Sequence, residues 1–522
     1  MVWKLSNDYK PESQKIVWEV VEYLRGARGV DIGAGMFKVL PQAISIDNGH
    51  HAEFNHVIKP DLLANAHDLG ILASQSMDWV YSSHLLEHME EPDKALKEWW
   101  RILKPKGHLV LYVPHEDLYP KVGEEGANPD HKHNLNEEKI LDWMSAYGWD
   151  LLRNEQRNED DEYSLLMVFQ KLDGKIKRTS YKTPKPKKTA CVVRYGAFGD
   201  MIQTSTVLAG LKKQGYHVTL FCSPPGSDVI MHDPNVDRIV LFDKDQVPNG
   251  DLGSFWAHQK KNYTKFVNLS ESVEGTFLAI AGRAQHAWTP IARHSVMNHN
   301  YIEFMHKLAE VPHDPQIKFY ATTEEKAWAK KQRSKIPSRR LIMWSMAGSS
   351  VHKTWAGLDN VLASILVAYQ EAAVMLVGGP ECVILEQGWE NEPRVIKTCG
   401  KYTIRQTLSM LEEVDLVIGP ETGVMNAASC MRVPKVVFLS HSSHENFSRD
   451  WANVTPVWSK NTNCPGRGNN DVPACHMLHF GFDHCKRHEA SGTAQCQADI
   501  TVEQVWCAVD AWLAKKHEMA AA

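Results

Sequence analysis

Residues 189–222 read TACVVRYGAFGDMIQTSTVLAGLKKQGYHVTLFC. An apolar, β-branched run leads into a turn with two glycines, a helical stretch follows, and a second apolar run closes the segment. The same order of strand, glycine turn and helix restarts at GVDIGAG (29–35) and at RRLIMWSMAGSS (339–350). Strands that alternate with amphipathic helices are typical of parallel sheets in doubly wound α/β domains. We therefore predict an α/β chain with three such modules.

Length and composition agree with this expectation. At about 150 residues per domain, a chain of 522 residues predicts about three domains. Hydrophobic residues make up 43% and charged residues 23%, which is an ordinary globular composition. The net charge of −5 excludes binding to nucleic acid through bulk charge alone.

Three classes of protein are disfavoured by the same composition. No apolar run approaches the ~18 residues of a membrane-spanning helix, and the N-terminus lacks the apolar core of a secretory signal. Ten cysteines are too sparse for a disulfide scaffold. We therefore expect a cytoplasmic, multidomain protein with no membrane span.

A basic stretch separates the first module from the other two. KLDGKIKRTSYKTPKPKK (171–188) has eight Lys or Arg residues against one acid, Asp173. Two prolines and the absence of apolar periodicity indicate a solvated linker, and a polyanion-binding arm is the alternative. The predicted boundaries are a domain at 1–172, a basic linker at 173–188, and two lobes at 189–335 and 336–522, the second with a Cys/His-rich loop at 461–498.

The first module has the features of a nucleoside-cofactor site. Gly33 and Gly35 follow a strand in VDIGAGMFKVL, and Asp47 ends the next strand in ISIDNG. Glycines let a ligand approach the backbone, and a carboxylate at that strand end can accept hydrogen bonds from both ribose hydroxyls. By itself this pattern indicates only a Rossmann-like fold.

The residues that follow make the interpretation more specific. In order they are Asp68 in NAHDLG, then DWVYSSHLLEH, then ALKEWWRILKPKGHLVLYVP, then DHKHNLNEEKILDWMSAYGW. Over roughly residues 15–170 the series resembles class I S-adenosylmethionine-dependent methyltransferases. The resemblance implies five residues that bind S-adenosylmethionine: Gly33, Gly35, Asp47, Asp68 and Ser83. Asp47 would hold the ribose, Asp68 would face the adenine, and Ser83 with His84 would border the methyl-transfer pocket.

Phe37 departs from that family pattern, because a third glycine usually stands in its place. The larger side chain could narrow the methionine end of the site, or a shifted turn could accommodate it. An inactive cofactor-binding module is therefore the alternative to an active methyltransferase.

HLLEH (84–88) also matches the H-x-x-E-H pattern of zinc proteases, in which His84 and His88 would share a helical face. That pattern needs a helical context, whereas the motif here directly follows a strand. We therefore interpret the two histidines as a helix end with satisfied hydrogen bonds.

Three motifs in the second half occur in a characteristic order. They are GDMIQTSTVLAGLKK with the later PNVDRIVLFD, then MAGSSVHKTWAGLDNVLASIL, then DLVIGPETGVMNAASCMRVPKVVFL. Over about residues 189–512 they resemble glycosyltransferase family 9, the ADP-heptose:lipopolysaccharide heptosyltransferases. The resemblance implies a GT-B glycosyltransferase of two Rossmann-like lobes, with 189–335 for the acceptor and 336–522 for the nucleotide sugar.

Asp200 is the candidate catalytic residue of this half. The resemblance makes it the general base that deprotonates the acceptor hydroxyl for direct, inverting attack on the anomeric carbon. The alternative is that Asp200 caps the helix that follows it, which is a favoured position for Asp.

Five residues are candidates for binding the nucleotide-sugar donor: Ser349, Lys353, Glu421, Thr422 and Gly423. Thr422 and Gly423 begin a helix, whose backbone N–H groups and dipole favour an anion. Lys353 would add a mobile positive charge, and this would remove the need for a metal ion. Glu421 and Asn426 replace the Asp and His usual in this family, so the resemblance leaves the donor sugar open.

Cys464, Cys475, Cys485 and Cys496 are separated by ten, nine and ten residues, with several histidines among them. The segment offers enough ligands for zinc, yet it contains no C-x₂₋₄-C pair. A zinc site, a disulfide or loose thiols, and ordinary packing all remain open.

We therefore expect a bifunctional enzyme of surface-glycan assembly, such as lipopolysaccharide biosynthesis. One module would transfer a sugar from a nucleotide-diphosphate donor to a glycan acceptor, and the other would methylate with S-adenosylmethionine. Two alternatives are a glycosyltransferase with an inactive methyltransferase-like module and a phage-type enzyme that glycosylates a modified base of DNA. Nothing in the sequence fixes an oligomeric state.

Overall fold

A computed structural model describes residues 11–51, 56–57, 59–158, 162–181, 187–243, 246–248, 251–271, 299–348, 353–440, 442–459 and 487–521. The chain divides into two compact units. The first unit contains residues 1–187 and 241–262, and the second contains 188–240 and 263–522. Within the described ranges, no helix has both the length and the apolar character needed to cross a bilayer.

The first unit is built on an eight-stranded sheet in the order β10-β8-β9-β7-β6-β1-β2-β5. β9 runs antiparallel to β7 and β8, and the other neighbours are parallel. The strands are β1 Gly29–Ile32, β2 Ile44–Asp47, β5 Leu62–Leu63, β6 Met77–Ser83, β7 Leu103–Pro114, β8 Trp149–Arg157, β9 Ser164–Lys171 and β10 Lys177–Thr179, with a separate antiparallel pair β3 His50–His51 and β4 His56–Val57. The helices are α1 Glu12–Lys15, α2 Val17–Val20, α3 Pro92–Ile102 and α4 Glu137–Trp143, with 3₁₀ turns at Val21–Tyr23, Leu86–His88 and Met144–Ala146.

Both faces of this sheet are covered by apolar side chains. Along β6, Trp79 and Tyr81 pack into the cluster on one face, and Val80 packs into the cluster on the other. All three side chains are buried. The central strands are therefore continuous apolar runs, as expected for a parallel sheet with helices on both sides.

The strand order reverses between β1 and β6. From β1 the chain continues to β2 and β5 on one side, whereas β6 is followed by β7 on the other. Ligands of open α/β sheets bind outside the carboxyl ends of the strands at such a reversal. The glycine turn after β1 and the segment after β6 both begin at this edge, so the fold brings two of the predicted cofactor motifs to one place.

The second unit contains two sheets, β13-β12-β11-β14 and β17-β16-β15-β18-β19-β20. The described pairings in both are parallel, which confirms the predicted α/β class with Rossmann-like lobes. The strands are β11 Thr189–Arg194, β12 His217–Cys222, β13 Arg238–Leu241, β14 Lys265–Asn268, β15 Arg340–Ser345, β16 Ala372–Val377, β17 Val395–Lys397, β18 Leu416–Pro420, β19 Lys435–Leu439 and β20 Val454–Trp458.

Helices follow most of these strands. They are α5 Phe198–Lys213, α6 Pro224–Ile230, α7 Leu252–Lys260, α8 Tyr301–Ala309, α9 Thr323–Arg333, α10 Leu358–Ala368, α11 Ile404–Ser409, α12 Gly423–Ala428, α13 Gln495–Ala498 and α14 Val502–Ala521. Of these, α7 belongs to the first unit. 3₁₀ turns lie at Leu269–Glu271, Pro380–Glu386 and Met410–Glu413, and a π-helical turn lies at His444–Ser448.

Part of the predicted linker has regular structure. Lys177–Thr179 form β10, an exposed edge strand that pairs in parallel with β8. Positively charged side chains on an edge strand discourage pairing with other chains. The basic composition therefore has a structural use in this part of 173–188, whereas 182–186 lie outside the described residues.

The chain returns to the first unit after β13. The sequence analysis placed residues 241–262 in the lobe at 189–335, whereas in the structure they pack with the first unit. The side chain of Gln246 donates from Nε2 to the carbonyl oxygen of Leu24 at 3.0 Å, and Gln259 donates to that of Trp18 at 2.6 Å. A cut in the linker would therefore leave a fragment 1–187 without a segment that belongs to its own core.

Phe255 of α7 is the apolar centre of this returning segment. Its side chain is fully buried. It meets Trp18 edge to face with 6.4 Å between the ring centroids, and it stacks on Phe242 at 5.3 Å. The indole of Trp256 contacts the same ring at 4.6 Å.

We expect Phe255→Ala to destabilise the first unit by about 3–5 kcal/mol, because it removes a buried aromatic ring and leaves a cavity. Hydrogen exchange followed by mass spectrometry should show lost protection in residues 12–24, which include Trp18, the residue that the ring contacts. The exposed Lys260 of the same helix provides the control, and Lys260→Ala should leave that protection unchanged. Normal protection in Phe255→Ala would contradict the assignment of this segment to the first unit.

Candidate functional site

The glycine turn after β1 has a backbone that favours glycine. Gly33 and Gly35 have φ values of +75° and +55°, in the left-handed region. The N–H of Gly33 donates to the carbonyl oxygen of Ile46 at 2.8 Å. A Cβ atom added at Gly33 would lie 2.7 Å from the side chain of Leu85, so the turn leaves no space for a larger residue there.

Asp47 lies at the end of β2 and holds this turn. Its Oδ2 accepts a hydrogen bond from the N–H of Gly35 at 3.2 Å, and its Oδ1 accepts one from Gly49 at 3.0 Å. The structure therefore brings together three of the five predicted cofactor residues. A carboxylate can accept about four hydrogen bonds, so two remain for the hydroxyls of a ribose.

Ser83 and His84 lie at the end of β6, across the strand reversal from β1. Ser83 Oγ is 3.3 Å from His84 Nδ1, and His84 Nε2 is 3.1 Å from the hydroxyl of Ser164. Burial lowers the pKa of His84 to about 3, so the imidazole is neutral at physiological pH. A neutral, hydrogen-bonded imidazole at this position can orient a polar group without adding charge.

Asp68 lies in the connection between β5 and β6. Its Oδ1 accepts a hydrogen bond from the N–H of Gly70 at 3.3 Å. The carboxylate lines a cavity of about 420 Å³ whose other described lining residues are His67, Gly70, Lys94, Lys97, Glu98 and Arg101. The other four predicted cofactor residues do not line this cavity, and the contact of Asp68 with adenine stays a prediction.

Asp31 is a buried carboxylate of the turn that the sequence analysis did not select. It lies on β1, and its Oδ2 accepts a hydrogen bond from the N–H of Val39 at 2.6 Å. This bond closes the loop that carries Gly33 and Gly35. Burial raises the pKa of Asp31 to about 7. The only signal in the sequence was a single charge inside the apolar run VDIG.

In the second unit, α5 and α12 approach closely because both carry glycine where they meet. A Cβ atom on Gly423 would lie 2.0 Å from the ring of Phe198, and one on Gly199 would lie 2.7 Å from the amide of Asn426. The Nε2 of Gln203 donates to Oδ1 of Asn426 at 2.7 Å, and both side chains are buried. The amide at 426 thus joins helices from the two predicted lobes.

Asp200 lies in the first turn of α5. Its Oδ2 accepts a hydrogen bond from the N–H of Ala197 at 2.7 Å, so Asp200 closes the start of the helix from its third position, and Ala197 is the N-cap residue. Its Oδ1 lies 3.4 Å from the guanidinium of the buried Arg194. A Cβ atom on Gly196 would collide with this carboxylate, so glycine at that position makes room for it.

Glu421 and Thr422 follow β18 and are both buried. Oε1 of Glu421 accepts hydrogen bonds from the N–H groups of Ser440 at 3.1 Å and Ser442 at 3.0 Å. Thr422 caps α12 through Met425, and its hydroxyl is 2.9 Å from that of Ser345. The carboxylate of Glu421 thus holds the loop after β19, which is a structural use the sequence analysis did not predict.

Lys353 belongs to the loop after β15, the neighbour of β18 at the strand reversal of the six-stranded sheet. Its side-chain carbons would be 2.5 Å from a Cβ on Gly348, so the stem lies across that glycine. Nζ has no hydrogen-bond or ion-pair partner among the described residues. Ser349 lies outside the described residues, so its predicted role stays a prediction.

Of the four cysteines in the Cys/His-rich loop, Cys496 is buried at α13. Cys464, Cys475 and Cys485 lie outside the described residues. The three interpretations of that cluster therefore stay as the sequence left them.

Two family models match separate stretches of the chain. Residues 20–111 match a methyltransferase domain, and residues 279–476 match glycosyltransferase family 9 (heptosyltransferase). The two resemblances predicted from the sequence are therefore confirmed over these stretches. No curated protein matches the chain.

Solved structures similar to the chain include members of both groups. A glycosyltransferase of family 9 from Veillonella parvula has 17% identity, a TM-score of 0.47, and covers 64% of this chain and 99% of its own. The Escherichia coli ADP-heptose LPS heptosyltransferase II has 15% identity, a TM-score of 0.44, and coverages of 63% and 99%. A chain of the complex between the Haloferax volcanii Trm112 methyltransferase activator and a methyltransferase has 18% identity, a TM-score of 0.26, and coverages of 31% and 89%.

The raised pKa of Asp31 predicts how the stability of the first unit depends on pH. Between the ordinary value of 3.8 and about 7, the folded state holds a proton that the unfolded chain has lost, so stability falls as pH rises. Asp31→Asn keeps an oxygen for the N–H of Val39 but cannot ionise. We expect it to be more stable than the wild type by about 2–4 kcal/mol at pH 8, with little difference near pH 4.

Denaturant unfolding at several pH values measures this difference. Asp142→Asn, which changes an exposed aspartate on α4, is the control and should follow the wild type at every pH. A gap between Asp31→Asn and the wild type that stays constant with pH would show that the pKa of Asp31 is the same in the folded and the unfolded protein.

Proposed function

We propose that the second unit transfers a sugar from a nucleotide-diphosphate donor to an acceptor hydroxyl. The observation that carries this proposal is Lys353, a cation without a described partner in the loop after β15. Thr422 and Gly423 follow β18, so both segments leave the same edge of the sheet at its strand reversal, where ligands of such sheets bind. The match to glycosyltransferase family 9 supports the reaction class.

The ammonium of Lys353 would neutralise the diphosphate as it leaves. Negative charge grows on the leaving oxygen in the transition state, and a preorganised cation stabilises that charge. A lysine that supplies this charge makes a metal ion unnecessary, so glycosyl transfer should persist in excess chelator. The family name and the named relative favour ADP-heptose as one donor to test.

Asp200 is the proposed general base for the acceptor. Its capping bond engages Oδ2, whereas Oδ1 lies near Arg194. Deprotonation of the acceptor hydroxyl by this group would allow direct attack on the anomeric carbon, with inversion of configuration.

The two roles predict different kinetics. Asp200→Asn cannot take a proton, so kcat should fall by about 10²–10⁴-fold while the donor KM changes little. Lys353 contacts the diphosphate in the ground state and in the transition state, so Lys353→Ala should raise the donor KM and lower kcat together. Sugar release from a panel of nucleotide sugars, with and without glycan acceptors, measures both parameters.

Lys330→Ala, which removes an exposed lysine of α9, is the control and should have wild-type kinetics. Asp200→Asn with a lowered melting temperature but normal kcat would leave Asp200 as a capping residue only. Unchanged kinetics in Lys353→Ala would remove the lysine from the donor site.

We propose further that the first unit binds S-adenosylmethionine and methylates a glycan group, which would make the protein bifunctional. The support is the set of contacts among Gly33, Gly35 and Asp47 at the strand reversal, with Ser83 across it. The alternative module, which binds the cofactor without methyl transfer, has no specific structural support beyond Phe37 in the turn. Methyl transfer to a glycan by a protein that binds the cofactor distinguishes the two.

Asp47→Ala should weaken S-adenosylmethionine binding at least ~10-fold, because ribose hydroxyls lose a charged acceptor. Titration calorimetry measures the affinity, and a melting curve reports the separate effect of losing the Gly35 contact. Asp173→Asn, in the basic stretch far along the chain, should bind normally. Wild-type affinity in a folded Asp47→Ala protein would refute the cofactor assignment.

A further inference from the structure

One carboxylate and two imidazoles meet just beyond β6 in the first unit. Glu87 and His88 belong to the 3₁₀ turn Leu86–His88, and His131 comes from the long connection after β7. The Nε2 atoms of His88 and His131 each lie 3.9 Å from Oε1 of Glu87. The three potential ligand atoms all lie within 4.8 Å of one another. We call these residues the Glu87 cluster.

The carboxylate of Glu87 lacks a hydrogen-bond partner among the described residues. The residue is fully buried, and neither carboxylate oxygen accepts a hydrogen bond from any described residue. A buried carboxylate is unfavourable unless a cation or hydrogen-bond donors compensate its charge. Two imidazoles whose Nε2 atoms lie 3.9 Å away are too distant to donate hydrogen bonds to this carboxylate, whereas a metal ion between the three groups would compensate its charge.

The ring of His88 is held by its other nitrogen. His88 Nδ1 lies 3.3 Å from the carbonyl oxygen of Asp130. Since a carbonyl can only accept, Nδ1 carries a hydrogen in this contact, and Nε2 is the ring nitrogen that faces Glu87. Such a second bond is the usual support of a metal-binding histidine.

Backbone hydrogen bonds hold the two segments of the cluster together. The N–H groups of Lys132 and His133 both donate to the carbonyl oxygen of Glu87, at 2.8 and 3.2 Å. His133 Nε2 lies 3.0 Å from the carbonyl oxygen of Met89, so this neighbouring imidazole is anchored away from the cluster. The position of His131 next to Glu87 is therefore built into the backbone and does not depend on the side chains alone.

This arrangement differs from the zinc-protease interpretation of HLLEH. His84 does not join His88 on a helical face, because its Nε2 contacts Ser164 and its φ is +47°. Both histidines are hydrogen-bonded, as the other interpretation expects, whereas Glu87 between them lacks hydrogen-bond partners among the described residues. The third group comes from 43 positions further along the chain than His88, which no local motif could have indicated.

We propose that Glu87, His88 and His131 bind a divalent transition metal such as Zn²⁺ through one carboxylate oxygen and two Nε2 atoms. Ligands of tetrahedral zinc lie about 3.3–3.5 Å apart, so the two separations of 3.9 Å need to close by roughly half an ångström. Three protein ligands leave a fourth position open, as in catalytic zinc sites. Water would occupy this fourth coordination position. Its use to hold the acceptor oxygen of a methyl transfer rests on the function proposed above for the first unit.

Zinc binding by the full-length protein tests the proposal independently of any activity. The protein is stripped with chelator, incubated with zinc alone, desalted, and its metal is counted by mass spectrometry. We expect the wild type to retain one more zinc per chain than Glu87→Gln or His131→Gln. The matched controls Glu91→Gln and His133→Gln should retain the wild-type number. A difference in count is unaffected by any zinc held by the Cys/His-rich loop, since that loop is unchanged.

Hydrogen exchange of the wild type provides a measurement that needs no variant. Zinc should increase the protection of residues 84–90 and 128–135, because it joins the two segments. Glu87→Gln and His131→Gln change different segments, so a folding defect in one leaves the other as a test. Equal zinc in the wild type and a folded variant, or no zinc-dependent protection of these residues, would overturn the proposal.

Discussion

Two glycines set the distance between α5 and α12, and the proposed glycosyl-transfer site depends on this contact. Gly423 faces the ring of Phe198, and Gly199 faces the amide of Asn426, with no space for a Cβ atom at either position. Asp200 lies in the first turn of α5, and Thr422 directly precedes α12. The packing that joins the lobes therefore also brings the candidate base and the donor signature to one place.

Two residues that depart from the pattern of the resembled family have a structural use. Asn426 replaces the usual histidine, and its amide accepts the hydrogen bond of the buried Gln203. Glu421 replaces the usual aspartate, and its longer side chain reaches the N–H groups of Ser440 and Ser442. Asn426 and Glu421 therefore accept hydrogen bonds from buried amide and N–H groups. Such groups carry a large free-energy penalty when they are unpaired.

Buried carboxylates recur in the first unit, and they have different partners. Asp31 has one strong hydrogen bond and closes the glycine turn, whereas Glu87 faces two imidazoles without a hydrogen bond from the described residues. Both have raised pKa values because burial disfavours the charged form.

The returning segment at 241–262 adds to the same unit from the second half of the chain. The first unit is therefore built from two separate stretches of the chain, although the two family signatures do not overlap.

Local patterns in the sequence were sufficient for the α/β class, the strand–turn–helix restarts, and the glycine turn with Asp47, because these depend on neighbours a few residues apart. Apolar runs also predicted the central strands, since both faces of each sheet are covered. Tertiary structure alone decided that Phe255 packs with the first unit and that His131 meets Glu87. It also decided that Glu421 binds the loop after β19. These contacts join residues far apart in the chain, and they depend on which loops leave the same edge of a sheet. That arrangement is set by strand order, which periodicity and spacing do not contain.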